Sequence, residues 1–223
     1  MRYVILDLEM NQIQKKFKEE RERCKDEIIE IGAVMLDENL TEISSFQTYV
    51  KPQYSSCIHS NITKLTGITT QMVEDAPFFA EAFNDFMLWC NAFEGDCQIQ
   101  SWSESDYLQI TREIALKQYS LSEQERKLME NWKDFQKEYM DTLGVEKCIS
   151  LYHALEFAGE DFKGQQHDAL FDARNTAELF VIVHDKVLFE SKLHTVVEAF
   201  QPKHVESTLG EMFNFAELSA QLA

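Results

Sequence analysis

Positive charge is scarce in this chain. Against 39 Asp and Glu stand 21 Lys and Arg, a formal balance of −18 over 223 residues. A protein that grips a long duplex by neutralising phosphates normally carries a basic face, so that class is excluded. Any nucleic-acid partner is held over a short stretch, with metal ions supplying the missing charge. Glycine and proline are also few, seven and three. That leaves no linker, repeat or low-complexity block and points to one compact unit. No apolar run approaches the ~18–20 residues that span a bilayer, so no membrane partner is expected. The opening run MRYVILDLEM enters a strand-like pattern at once, without the apolar stretch and small-residue cleavage site of a secretory leader. Five cysteines, odd in number and never closer than seven residues, suggest neither a disulfide framework nor a zinc pattern. A reducing cytoplasm is the expected setting.

What is present reads as an α/β domain over residues 1–200, with a tail over 201–223. Residues 2–10 form a buried strand in which Val4, Leu6, Leu8 and Met10 share one face. Residues 28–36 (IIEIGAVML) and 43–50 (ISSFQTYV) follow as strands, the first closed by a turn at Asp37–Asn39 and the second by Pro52. Short helices are expected over 58–65, ended by Gly67, and from a Thr69 or Thr70 cap to Asp75. Phe79, Phe83, Phe86, Met87 and Cys90 recur at helical spacing. Residues 97–102 (CQIQSW) alternate as a fourth strand, and 105–118 returns to helix. The charged stretch 121–141 is mostly helical with a short fifth strand near Trp132, and helices are expected over 149–158 and 169–190. The sum is a mixed five-stranded sheet flanked by helices.

Two segments stand apart. Residues 15–25 (KKFKEERERCK) hold six Lys and Arg against three Glu, either a solvated excursion between strands or a flexible basic flap. The tail carries Leu209, Met212, Phe213, Phe215, Leu218 and Leu222. It either folds back on the domain or docks a protein partner.

Several carboxylates sit where burial makes them costly. Asp7 and Glu9, at i and i+2, emerge on the same side of the first strand roughly 6–7 Å apart. Carboxylates leaving a hydrophobic strand cost several kcal/mol unless paired or metal-bound. Asp172 lies within a helical pattern whose apolar stripe is Leu170, Ala173, Ala177 and Phe180, and Asn175, one turn on, is placed to orient it. His167 is five residues upstream, about 140° away on a continuous helix, and therefore belongs just before the helix with Asp168 as its cap. Asp106 follows the fourth strand at the opening of a helix. Taken alone, it is a cap favoured by the helix dipole.

The ordered set DLE (7–9), SWSESD (101–106) and HDALFDA (167–173) resembles the DEDDh family of 3′–5′ exonucleases, the DnaQ-like branch of the ribonuclease-H fold. The stretches EIIEIGAVML (27–36), YVKP (49–52) and LTGIT (65–69) add to that likeness, which is nearest in flavour to the Eri-type and KapD-like exonucleases. The resemblance implies a ribonuclease-H-like fold and hydrolysis of phosphodiester bonds at single-stranded 3′ ends, with release of nucleoside 5′-monophosphates. RNA is the implied substrate class. Two Mg²⁺ or Mn²⁺ ions are the implied cofactors, a role that suits oxygen ligands. Asp7, Glu9, Asp106 and Asp172 become the metal ligands, and His167 the general base, a task for which an imidazole is suited. Met10, Asn11 and Leu65 become contacts for the terminal nucleotide, although core packing also explains Met10 and Leu65. Trp102 either stacks on a base or is buried in the sheet. A DNA proofreading or repair exonuclease of the same fold and a catalytically silent nucleic-acid-binding scaffold are the alternative readings.

Overall fold

A computed structural model describes residues 1–200, so the expected tail at 201–223 lies outside the described residues. Val4, Ile5 and Leu6 are wholly buried because β1 (Arg2–Gln12) runs through the middle of the sheet. It pairs antiparallel with β2 (Asp26–Leu36), which pairs antiparallel with β3 (Glu42–Tyr49). On its other side β1 runs parallel to β4 (Cys97–Ser101), and β4 parallel to the two-residue β5 (Lys133–Asp134). The order β3-β2-β1-β4-β5 is thus an antiparallel meander extended by two parallel crossovers.

Alternation along β1 divides the core. Val4, Leu6 and Leu8 face Phe83 and Phe86 of α4 (Phe79–Asn91) and Ile110 of α5 (Glu104–Leu116). Ile5 faces the opposite layer, where α7 (Phe135–Leu143), α8 (Leu151–Phe157) and α9 (Ala169–His184) contribute Phe135, Tyr139, Leu155 and Phe180. The short helices α2 (Ser60–Thr66) and α3 (Thr70–Glu74) close the end of the sheet where β1 finishes, around Ile58, Ile68 and Val73. The remaining helices are α1 (Lys18–Arg23), α6 (Glu123–Glu130), α10 (Lys186–Lys192) and α11 (His194–Phe200). Among the described residues no helix is long and apolar enough to cross a membrane.

The fifth strand falls beside Trp132 as expected, but one other expectation and one of the two readings of the basic segment need correction. The helix expected over 169–190 is broken at Asp185, whose carboxylate accepts from the amides of Val187 (2.8 Å) and Leu188 (3.0 Å) and starts α10 afresh. The basic segment is not a free flap. It contains α1, Ile13 and Cys24 are buried against Leu116, and Arg21 and Arg23 donate from their guanidinium groups to the carbonyls of Ile13 and Ala115.

Candidate active site

Asp7 and Glu9 leave β1 on the side of Ile5, the side that α9 covers. Their cross-strand partners on β2 are Gly32 and Glu30. A Cβ on Gly32 would stand 2.2 Å from the Ala169 carbonyl carbon and the Leu170 nitrogen, so only a bare backbone lets the first turn of α9 rest on the sheet. That close approach delivers Asp172, in the first turn, to the Asp7–Glu9 pair. Asp106 arrives from the other side, 5% exposed in the first turn of α5, directly after β4. Gly32→Ala must therefore push α9 off the sheet. An overpacked core of this kind costs about 1–3 kcal/mol, and a displacement of about 1 Å at reacting groups costs on the order of 10²-fold in turnover. Turnover is expected to fall by that much in protein that still melts cooperatively, which parallel assays and thermal melts would read.

The four acids crowd one another. Burial pushes the Asp7 carboxyl well above its ordinary value, and the charges of Asp106, Asp172, Glu9 and Glu30 push the same way. Burial, with Asp172 and Glu30 adding to it, raises Glu9 to about 8. Burial raises Asp106 to about 7 despite opposing backbone hydrogen bonds, its own and that of Leu8. Asp172 is raised to about 6, again by burial first. One oxygen of Asp172, Oδ1, is buried and finds no hydrogen-bond partner among the described residues, while Oδ2 accepts from the His167 amide at 3.2 Å. Glu9, Asp172 and the His167 ring each offer a ligand atom within 4.8 Å of the others. An orphaned carboxylate oxygen among mutually repelling acids fits a divalent cation.

These raised values fix a sign. Each carboxyl ionises less readily folded than unfolded, so its contribution to stability is present below about pH 4 and is lost as pH climbs through about 6 to 8. A bound cation opposes that loss. The gain in melting temperature on adding Mn²⁺ is therefore expected to be larger at pH 8.5 than at pH 6, as differential scanning fluorimetry would show. An equal gain at both would contradict the electrostatic account.

His167 sits on a strap before α9. Its backbone φ is +62°, a left-handed conformation rare for a side chain with a Cβ. Asn175 grips the strap at Lys163, accepting from its amide and donating to its carbonyl, both at 2.9 Å. Gln165 donates to the Thr66 carbonyl at the end of α2 (3.0 Å), and the Asp168 carboxylate caps α9 as expected. Asn175 thus holds the His167 loop; it does not orient Asp172, because its amide is already engaged with Lys163 and the Phe171 carbonyl.

The expected nucleotide contacts divide. Leu65 is 49% exposed on α2 and free to meet a base. Met10 is half-buried against the core. Asn11 is fully buried, its amide bonded to the Cys57 carbonyl (3.3 Å) and its oxygen accepting from the His59 amide (2.8 Å). It positions the loop before α2, and its side chain is not available to substrate. Trp102 is not a stacking platform. It is 8% exposed and packs its ring on Phe135 and Tyr139, because the residue after β4 turns into the α7 layer. Reasoning from sequence missed Glu30, which is 1% exposed and bonded to the Ala169 amide (3.2 Å) and the Gln47 side chain (2.9 Å). The signal was there in EIIEIGAVML: a glutamate in the middle of an apolar strand.

Residues 4–180 match the family RNase_T, described as an exonuclease. Among curated proteins, the chain is 30% identical over 180 residues to ERI1 exoribonuclease 2 of Danio rerio, covering 72% of this chain and 32% of that protein. It is 28% identical over 164 residues to 3′–5′ exoribonuclease 1 of Rattus norvegicus, covering 70% of this chain and 46% of the relative. The chain thus spans roughly a third of the length of the first of these relatives and just under half of the second. A solved structure of the nuclease domain of 3′hExo, a DEDDh family member, bound to rAMP, superposes with a TM-score of 0.69. The two share 22% identity, over 86% of this chain and 93% of that one, a likeness of fold.

Proposed function

The chain belongs to the exonuclease family RNase_T, and from that membership we propose that it is a metal-dependent 3′–5′ exonuclease that trims single-stranded RNA ends to nucleoside 5′-monophosphates. The observation that carries the reading is the convergence of Asp7, Glu9, Asp106 and Asp172 beside His167, with an Asp172 oxygen left unpartnered among the described residues. Relatives named as exoribonucleases support RNA as the substrate class. The free thiols of Cys24, Cys90 and Cys97 accord with a cytoplasmic setting. Residues 1–200 form the catalytic unit.

Asp7, Glu9, Asp106 and Asp172 would hold two Mg²⁺ or Mn²⁺ ions, which would supply positive charge against the phosphate, the attacking water and the departing 3′ oxygen. The chain's own groups do the rest. His167 takes the proton from the attacking water on a ring nitrogen, and its strap, pinned at Lys163 and Gln165, holds the imidazole near Glu9 and Asp172. Leu65 presents an apolar edge to the terminal base, and Met10 borders the sugar. Asn11 and Glu30 act one step back, fixing the loop before α2 and the start of α9.

Digestion of matched 3′-labelled and 5′-labelled RNA and DNA oligonucleotides in Mg²⁺, Mn²⁺ or EDTA tests the proposal. The expected result is stepwise loss from the 3′ end, faster on RNA and absent in EDTA. Internal cleavage, or trimming that persists in EDTA, would overturn it.

A further inference from the structure

The basic segment acquires a partner in the tertiary structure. Lys16 and Phe17, just before α1, line a groove of about 420 Å³ together with Lys51 and Phe78. Each lysine ammonium stands over an aromatic ring, Lys16 at 5.0 Å from the Phe17 centroid and Lys51 at 5.7 Å from that of Phe78. Phe78 is 50% exposed. Among the described residues the groove has two lysines against a single carboxylate, Glu74, in a chain whose balance is −18. Lys15 and Lys18 are exposed beside it.

Its polar side is rigid. The Gln53 and Tyr54 amides donate to the buried Glu27 carboxylate at 2.7 and 2.8 Å, and Lys117 pairs with Glu27 at 3.2 Å. Ser55 donates to the Gln12 carbonyl (2.8 Å), tying this loop to the strand that carries Asp7 and Glu9. The groove also begins close to the acids. Asn11 lies roughly 7 Å beyond Glu9 along β1, and its amide reaches the carbonyl of Cys57, a residue of the groove lining.

We propose that this groove is an exosite for single-stranded polynucleotide, in which bases stack on Phe17 and Phe78 while Lys16 and Lys51 meet phosphates. Aromatic rings paired with lysine ammoniums suit any base and any backbone phosphate, so the site adds affinity with length and without sequence choice. It gives an acidic chain a local means of retaining substrate that its overall charge does not provide. The inference rests on the exonuclease reading, since the strand held in the groove is the one whose end is trimmed.

Lys16→Glu and Phe78→Ala, both at exposed positions outside the acid cluster, test it. Binding is read without turnover, by fluorescence anisotropy of 5′-labelled RNA in EDTA, and trimming separately in Mg²⁺. For an oligonucleotide of about twelve residues, each variant is expected to weaken binding and raise KM about 10-fold, while kcat and the hydrolysis of a dinucleotide stay unchanged. Lys16→Glu should also reduce the salt slope of binding by about 0.7 for each phosphate that is no longer neutralised. Unchanged affinity for the long RNA would overturn the proposal, as would equal losses on the long RNA and the dinucleotide. A wild-type protein that binds long RNA through these residues but trims nothing would refute the exonuclease reading and leave the groove standing.

Discussion

Asp7→Asn is expected to lower turnover by about 10²–10³-fold and, in the same protein, to raise the melting temperature measured without metal. The two effects come from one cause. In the metal-free protein the Asp7 carboxylate lies half-buried on a strand among Glu9, Glu30, Asp106 and Asp172, all of which act against its ionisation. Asparagine keeps the shape and removes the charge, so part of the repulsion disappears and the fold gains. The same change removes an acid that the cation pair needs, and the Mn²⁺-dependent rise in melting temperature should shrink with it. Thermal melts with and without Mn²⁺, run beside a trimming assay, separate this from ordinary damage to the fold. A variant that lost activity and stability together would indicate that Asp7 serves packing and not the cation.

His167→Ala should lower kcat by roughly 10²–10⁴-fold while leaving the Mn²⁺ effect on melting largely intact, because the four carboxylates remain. A proton acceptor contributes to the rate of the chemical step and little to substrate affinity, so KM should move far less than kcat. His167→Gly adds a check. The backbone at this position has φ +62°, which glycine adopts without cost and alanine does not. The Gly variant should thus be more stable than the Ala variant by about 1 kcal/mol, with the same catalytic defect. Partial recovery of the Gly variant by added imidazole would tie that defect to the missing ring. Loss of the Mn²⁺ response in either variant would instead assign His167 to metal binding, a role that its place within 4.8 Å of Glu9 and Asp172 also allows.

Much of the site was written in local pattern. The strand reading of residues 2–10 placed Asp7 and Glu9 on one face by two-residue alternation alone, and β1 does carry them together toward α9. The start of α9 at Asp168, with His167 just outside it, followed from helical spacing and capping chemistry. Where the reading failed, the deciding partner lay far away in the chain. Asn175 has the right spacing to orient Asp172, yet a strap twelve residues upstream claims its amide. Trp102 ends an exposed-looking strand, but α7, more than thirty residues on, provides the pocket that buries it. Asn11 looks like a substrate contact until the loop at 57–59 arrives to bond it.

By itself, the sequence determined that apolar strands alternate faces, that acids emerge from a strand where desolvation penalises them, and that a histidine precedes a capped helix. These are short-range facts, set by backbone periodicity and by the solvation cost of charge. Only the tertiary structure decided that Gly32 lets α9 touch the sheet, that Glu30 anchors its first turn, and that Lys16 and Lys51 line one groove. Those depend on which distant backbones approach within a few ångströms, and no local rule of spacing carries that information.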